Sequence, residues 1–153
     1  MTTLRLAELN AAYAAAIDQD RLEAWPDFFT DDCLYKITSA DNEKAGMQAG
    51  IVYADSRAML RDRITALRTA NIYERQAYRH IVGLPLIVRE ADGLIAAETP
   101  FLVVRITRDA RTDLFATGLY RDQVVPADGG LRFRQRIVVC DSNHFDTLVA
   151  IPL

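Results

Sequence analysis

The stretch that decides the fold is residues 94–140, which read LIAAETPFLVVRITRDARTDLFATGLYRDQVVPADGGLRFRQRIVVC. Apolar and polar side chains alternate along most of this stretch, and a two-residue period is typical of half-buried β-strands. The alternation stops at Asp109-Ala110 and at Asp128-Gly129-Gly130, which have the composition of hairpin turns. The pattern predicts strands over residues 94–107, 112–125 and 131–140, and a preceding strand over residues 79–90 that ends before Asp92-Gly93.

The predicted strands follow one another along the chain, and successive strands joined by short turns pair as an antiparallel meander. They are far longer than the usual strand of about 5–6 residues. A sheet of such strands must twist and curl, and Pro85, Pro100 and Gly118 are its expected bend or edge positions. We therefore expect a curved antiparallel sheet.

The sequence before residue 78 has helical periodicity instead. It predicts a helix over residues 4–17, a short helix from Arg21 in which Pro26 is either an early residue or the end, and a third helix after Asp55-Ser56. A short strand is predicted over residues 33–38 and a loop over residues 39–50. Helices followed by a curled sheet predict an α+β fold, a single domain over residues 1–153 whose sheet wraps the helices as a cone with a pocket at its open end.

Composition excludes several classes of protein. With 153 residues, 50% hydrophobic and 25% charged, the chain is neither disordered, collagen-like nor a disulfide scaffold. A net charge of −3 argues against a nucleic-acid partner. No apolar run approaches the roughly 20 residues that span a bilayer, and residues 1–5 do not resemble a signal peptide. We expect a cytoplasmic protein with no membrane partner.

Metal-binding residues are few. Cys33 has no histidine near it in sequence, and Cys140 is separated from His144 by three residues, whereas a Rieske cluster takes close-spaced Cys and His pairs. An iron site with two histidines and one carboxylate would consume both His80 and His144. We therefore expect no metal, no cofactor and no catalytic nucleophile in this chain. Both cysteines are expected to be buried apolar side chains.

His80 is the one residue that suggests acid–base catalysis. It begins the first long predicted strand, where a histidine in a cone-shaped pocket could act on a small substrate together with Tyr35 or Asp31. The other explanation is a histidine that hydrogen-bonds a carboxylate or carbonyl at the end of a strand. We favour this structural explanation because the sequence shows no second catalytic partner.

The last predicted strand and the segment after it contain the candidates for subunit contacts. Leu131, Phe133, Ile137 and Val139 are predicted on one face, with Arg132, Arg134 and Arg136 on the other. These arginines could pair with carboxylates of another subunit or with those of the neighbouring strand, such as Asp122. The chain then ends on apolar residues that include Ile151 and Leu153, which we expect to pack on their own domain or on a partner. The predicted interface set is Arg132, Arg134, Arg136, Ile151 and Leu153.

Several segments resemble the small (β) subunits of Rieske-type aromatic-ring-hydroxylating dioxygenases. They are Ile17-Asp18 with Asp20, Trp25-Pro26 with Phe28-Phe29-Thr30 and Asp32-Cys33, Ala54-Asp55-Ser56, Met59-Leu60 with Asp62-Arg63-Ile64, Ala70-Asn71-Ile72-Tyr73-Glu74-Arg75, Tyr78-Arg79-His80-Ile81, Val139-Cys140-Asp141-Ser142 and Asp146-Thr147-Leu148. Residues 71–75 and the ending Ala150-Ile151-Pro152-Leu153 most resemble the branch that acts on aromatic carboxylates such as terephthalate.

The resemblance implies a fold and a role. The fold is the nuclear transport factor 2-like, or ketosteroid-isomerase-like, cone. The role is that of a structural, non-catalytic subunit in aromatic catabolism, in a dioxygenase that cis-dihydroxylates an aromatic carboxylate. The α subunit would carry the Rieske two-iron two-sulfur cluster and the mononuclear iron, in an assembly of three α and three β chains served by a reductase. The resemblance transfers no catalytic residue. The alternative is a self-sufficient small dehydratase or isomerase of the same cone fold that uses His80.

Overall fold

The computed structural model describes residues 1–48, 50–70, 76–145 and 149–153. Two segments that carry the resemblance, residues 71–75 and 146–148, lie outside the described residues. The helices are α1 (Thr2–Asp18), a 3₁₀ helix (Leu22–Phe28), α2 (Ala40–Lys44) and α3 (Arg57–Ala70). The strands are β1 (Phe29–Ser39), β2 (Val52–Ala54), β3 (Gln76–Val82), β4 (Leu86–Ala91), β5 (Leu94–Thr107), β6 (Thr112–Ala127) and β7 (Gly130–Cys140).

The first helix ends in a Schellman motif. Asp20 has a φ of 59°, and the Arg21 N–H reaches back to the Ala16 carbonyl at 2.8 Å. This bond satisfies a carbonyl that the last turn of the helix would otherwise leave without a partner. The helix therefore stops at Asp18 and places that carboxylate at the end of α1.

The third helix confirms its predicted start and its predicted apolar face. The Ser56 hydroxyl accepts a hydrogen bond from the Met59 N–H at 3.2 Å, so Ser56 and not Asp55 caps the helix. Leu60, Ile64 and Leu67 are its buried residues. The predicted loop over residues 39–50 is wrong in part, because its first residues form α2, capped by the Ser39 hydroxyl. The short strand β2, which pairs with β1, was not predicted.

The strand order is β2-β1-β7-β6-β5-β3, with β4 also paired to β5. The predicted antiparallel meander is confirmed for β4, β5, β6 and β7. The short strand predicted over residues 33–38 lies within β1, which is outside that meander and runs parallel to β7. Parallel neighbours require a long crossover connection, and here the whole intervening chain supplies it.

Two glycines lie where neighbouring strands come unusually close. The strand predicted over residues 79–90 is divided into β3 and β4, both of which pair with β5. At the break, the Gly83 N–H donates to the Pro100 carbonyl at 2.9 Å. Gly118 lets β7 approach closely, because a Cβ atom there would lie 2.0 Å from the Val139 carbonyl oxygen. Glycine is thus the residue that this close pairing of β6 with β7 accommodates.

The helices α1 and the 3₁₀ helix pack against one side of the curved sheet, with α1 contacting β3 and β7. The predicted cone of sheet and N-terminal helices is confirmed. The space between them is the interior in which a ligand site of this fold class would be sought. Within the described part of the chain, no helix combines the length and apolar character needed to cross a membrane.

Candidate functional site

Aromatic side chains fill the interior of the cone. Trp25 and Tyr35 meet edge to face with ring centroids 5.0 Å apart, and Tyr13 and Phe133 do the same at 5.6 Å. Phe101 stacks on Tyr120 at 4.4 Å. The large rings at the centre of this cluster are fully buried: Tyr13, Trp25, Phe29, Tyr35, Tyr120 and Phe133. Offset and edge-to-face pairs stabilise a core beyond the area they bury, so this interior is built as a hydrophobic core.

The segment 149–153 closes the interior. The main-chain oxygen of Leu153 accepts hydrogen bonds from the Tyr13 hydroxyl at 2.7 Å and the Tyr35 hydroxyl at 3.0 Å. The Leu153 N–H donates to the Tyr35 hydroxyl at 3.2 Å. Val149, Ile151 and Leu153 are all buried in this chain. This segment was expected to pack either on its own domain or on a partner, and in the structure it packs on its own domain. Ile151 and Leu153 therefore offer no free side chain for a subunit interface.

Arg136 lies inside the same core. It donates two hydrogen bonds to the Asp122 carboxylate at 2.8 and 2.7 Å and one to the Asn10 side-chain oxygen at 2.6 Å. Its guanidinium carbon lies 3.8 Å from the centroid of Tyr120 and 3.9 Å from that of Phe133. Burial opposes the charge, but the Asp122 carboxylate outweighs that effect and raises the pKa of Arg136, which therefore stays charged.

The prediction that Arg132, Arg134 and Arg136 share one face is wrong. The pairing of β6 with β7 shifts between Gln123 and Val124, which leaves Arg134 as the extra residue of a β-bulge. An extra residue reverses the alternation, so Phe133 and Arg136 point into the interior together. Arg136 belongs to the core, and its pairing with Asp122 is the intramolecular alternative stated above. Arg132 pairs with Asp128 at 2.9 Å, and Arg134 is exposed.

His80 is held by the end of α1. Its ring Nδ1 lies 2.7 Å from Asp18 Oδ1, and its backbone N–H donates to Asp18 Oδ2 at 2.8 Å. A carboxylate only accepts hydrogen bonds, so Nδ1 carries the hydrogen. Both side chains are buried, with 0% and 4% exposed. The expected bond from His80 to a carboxylate at the end of a strand is confirmed, and the partner is Asp18, which sequence reasoning missed.

The residues proposed for acid–base catalysis are not brought together. The Tyr35 hydroxyl is engaged by Leu153, and burial raises its pKa well above the ordinary value. Asp31 is exposed and pairs with Arg57. A general base must reach the proton it removes, and none of these groups contacts His80 in the described residues. The structure therefore does not assemble His80, Tyr35 and Asp31 into the catalytic site that a self-sufficient enzyme would need.

The cysteines are packed as expected. Both are free and buried. Burial raises the pKa of Cys33 to about 11 and that of Cys140 to about 12. A thiol with such a pKa is neither a nucleophile nor a ready metal ligand near neutral pH. Among the residues that the structure describes, no group of three or more His, Cys, Asp or Glu side chains lies close enough to hold a metal ion.

Comparison with known proteins agrees with this geometry. The family model for the SnoaL-like domain matches residues 3–137. The β subunit 1 of the terminal oxygenase component of terephthalate 1,2-dioxygenase from a Comamonas species is 53% identical over 98% of this chain and 97% of its own length. The small subunit of anthranilate 1,2-dioxygenase from Burkholderia cepacia is 38% identical over 99% and 94%.

A solved structure agrees as well. The crystal structure of the β subunit of a proposed aromatic-ring-hydroxylating dioxygenase from Novosphingobium aromaticivorans superposes with a TM-score of 0.91. It is 34% identical and covers 99% of this chain and 97% of the other. ActVI-ORFA from Streptomyces coelicolor, at 20% identity and a TM-score of 0.69, shares the fold alone. The chain belongs to the SnoaL-like fold family and, within it, to the small (β) subunits of aromatic-ring-hydroxylating dioxygenases.

Proposed function

We propose that this chain is the non-catalytic β subunit of a terminal oxygenase that cis-dihydroxylates an aromatic carboxylate, with terephthalate as the first candidate. The 53% identity to terephthalate 1,2-dioxygenase β subunits supports this substrate, and the anthranilate enzyme, at 38%, also acts on an aromatic carboxylate. The substrate itself would be selected by the α subunit. The role of the β subunit is to stabilise that partner.

One observation carries the non-catalytic role: the charged and titratable groups that could act in the interior are held by other groups of this chain. Nε and Nη2 of Arg136 donate to Asp122 and Asn10, and the hydroxyls of Tyr13 and Tyr35 donate to Leu153. The imidazole Nδ1 of His80 is satisfied by Asp18. Charged groups held in buried pairs fix a structure, and removing one partner is costly. These are features of a scaffold.

The cysteines and histidines of this chain do not suit the cofactors of the reaction. A Rieske cluster takes two cysteines and two histidines. Here His80 is engaged by Asp18, His144 is exposed, and both thiols are buried with raised pKa values. The donor set does not fit the group, so we assign both the cluster and the mononuclear iron to the α subunit and derive no step through them.

We further propose an assembly of three α and three β chains, reduced by a separate reductase component in the cytoplasm. Residues 1–153 would form one domain of it. The names of the relatives, which describe subunits of a terminal oxygenase component, support an α partner. The absence of a basic charge excess, with a net charge of −3, argues against a nucleic-acid partner.

Arg132 and Arg134 remain as the proposed contact with a neighbouring subunit. Both lie on β7 just after the turn at Gly129, where Arg132 is part-exposed and Arg134 is exposed. Truncating one partner of a desolvated pair costs about 2–5 kcal/mol. The double variant R132S/R134S is therefore expected to release subunits from the complex at low concentration, seen by size-exclusion chromatography. An unchanged elution volume at every concentration would remove this pair from the interface.

The function is tested by reconstitution. The chain is purified alone and together with its α subunit, and each sample is supplied with reductase, electron donor, oxygen and terephthalate. We expect dihydrodiol product only when α is present, and a more stable and more active α subunit when the β chain is added. Turnover by the isolated chain would contradict the proposal. Turnover of anthranilate but not terephthalate by the complex would keep the role and correct the substrate.

A further inference from the structure

One face of the sheet carries apolar side chains that the described part of the chain leaves in water. Strand β5 contains the run Pro100-Phe101-Leu102-Val103-Val104, in which polar residues do not alternate with apolar ones. An antiparallel strand with one face in water shows such alternation, whereas a strand that is covered on both faces is apolar throughout. The composition of β5 therefore indicates a sheet that is covered on both faces.

The alternation of side chains along the strands identifies the uncovered face. Phe101 points into the interior with 5% of its surface exposed, so Leu102 points to the opposite side, which we call the outer face. On the neighbouring strand, Ile81 is the residue paired with Leu102. Around Leu102, five large apolar side chains of the outer face are between 38% and 65% exposed, and with it they form what we call the outer patch: Ile81, Leu86, Val88, Leu114 and Leu119.

The other part of the outer face is covered by the chain itself. Helix α2 contacts β1 and β7, and the outward side chains of Ile137 and Val139 on β7 are only 7% and 8% exposed. Arg121 marks the border of the covered part, because it pairs with Glu43 of α2 at 3.0 Å and lies 3.8 Å from Glu98. The outer patch begins where this cover ends.

The chemistry of the outer patch fits an apolar partner surface without excess charge. Two arginines at its border already lie near carboxylates of this chain: Arg121 near two of them, and Arg79 at 3.9 Å from Asp18. Large apolar patches are rare on proteins that act alone, and stable interfaces have an apolar centre with a polar rim. A charged partner surface would lose its hydration against the patch and gain no counter-charge there.

We propose that the outer patch binds the α subunit of the oxygenase, through an apolar area of that subunit. The relatives with 53% identity are named as β subunits of a terminal oxygenase component, and permanent partners bury apolar surfaces that resemble a divided core. A second copy of this chain fits less well. Face-to-face pairing joins copies in twos, so an assembly with three β chains would leave one patch in water. The inference rests on the proposed function and assigns its contact surface.

The test measures binding of the full chain to its purified α subunit by biolayer interferometry. The patch variant combines Ile81→Glu with Leu114→Glu. We expect it to bind about a hundredfold more weakly, because a charge buried without a partner is costly. The control variant combines Met47→Glu with Ile51→Glu, at side chains beside β2 that are 51% and 46% exposed. Its affinity is expected to stay within about threefold of that of the unaltered chain.

The possible results separate this inference from the proposed function. If the unaltered chain binds the α subunit and the patch variant binds equally well, the inference is overturned and the proposed function stands. If the unaltered chain does not bind the α subunit, the proposed function fails and the inference fails with it. Sedimentation of the isolated chain tests the second copy: a dimer that the patch substitutions dissociate, with unchanged binding to the α subunit, would also overturn the inference.

A measurement on the unaltered chain covers the case in which the patch variant does not fold, which circular dichroism would detect. Hydroxyl-radical footprinting compares the free chain with the complex. We expect the oxidation of Leu86, Leu114 and Leu119 to fall severalfold in the complex, while that of Met47 is unchanged. Equal oxidation of the three leucines in the free and the bound chain would contradict the proposal.

Discussion

Replacing Asp122 by alanine is expected to lower the free energy of unfolding of the isolated chain by about 3–5 kcal/mol, because the substitution leaves a buried guanidinium without its counter-charge. Arg136 has no exposure, and after the substitution the Asn10 oxygen would still accept from it but no described carboxylate would pair with it. Total stabilities of domains are about 5–15 kcal/mol, so a loss of this size removes a large share. Urea denaturation followed by circular dichroism measures it.

An exposed ion pair supplies the matched control. Asp27 lies 3.6 Å from Arg61, with 65% and 58% of the two side chains exposed. Asp27→Ala is expected to cost less than about 1 kcal/mol, since exposed pairs are weak. Replacing both members of the buried pair, with Asp122→Leu and Arg136→Met, is expected to recover much of the loss, because no uncompensated charge remains. A loss below about 1 kcal/mol for Asp122→Ala would show that Arg136 is not held as described.

His80→Ala is expected to lower the free energy of unfolding by about 2–3 kcal/mol, because hydrogen bonds to charged groups contribute about 1.5–3 kcal/mol. The substitution removes the bond from Nδ1 to Asp18, leaving a buried carboxylate that keeps the backbone N–H of residue 80. His80→Asn, whose side-chain amide can donate from a similar position, is expected to restore part of the loss.

The exposed histidine is the control for this substitution. His144 is exposed; its backbone N–H donates to the Ser142 hydroxyl, and its carbonyl oxygen accepts from that hydroxyl. His144→Ala is expected to change stability by less than about 0.5 kcal/mol, as surface substitutions usually do. If His80→Ala and His144→Ala changed the unfolding midpoint equally, the hydrogen bond between His80 and Asp18 would not contribute measurably to stability.

The strands could be predicted because their signal is local. Alternation and turn composition place β5 at residues 94–107 and end β7 at residue 140, as observed. The parallel pairing of β1 with β7 leaves no such trace, since it joins residues far apart in sequence. The break between β3 and β4 includes Pro85, an expected bend or edge position, but the close approach of Pro100 to Gly83 across the break is a tertiary contact.

The candidate site was less predictable for a related reason. A single-residue bulge at Arg134 reverses which side chains point inward, so an alternation read without it places Arg136 on the wrong face. The Asp18 partner of His80 lies on a helix, 62 residues away in sequence. Neither the secondary-structure propensity of these residues nor their spacing in the sequence indicates that they are in contact. The apolar character of residues 151 and 153 did indicate burial, and the structure shows that they are buried in the core of their own chain.

The central claim is that this chain supplies structure and no reacting group to the dioxygenase. Turnover per iron of the complex assembled with the His80→Ala chain tests it most directly, with assembly and iron content measured on the same sample. We expect a rate within about twofold of the complex assembled with the unaltered chain, because the loss of a general acid or base would cost about a hundredfold or more. A hundredfold fall in turnover, with assembly, iron content and melting temperature unchanged, would contradict the account.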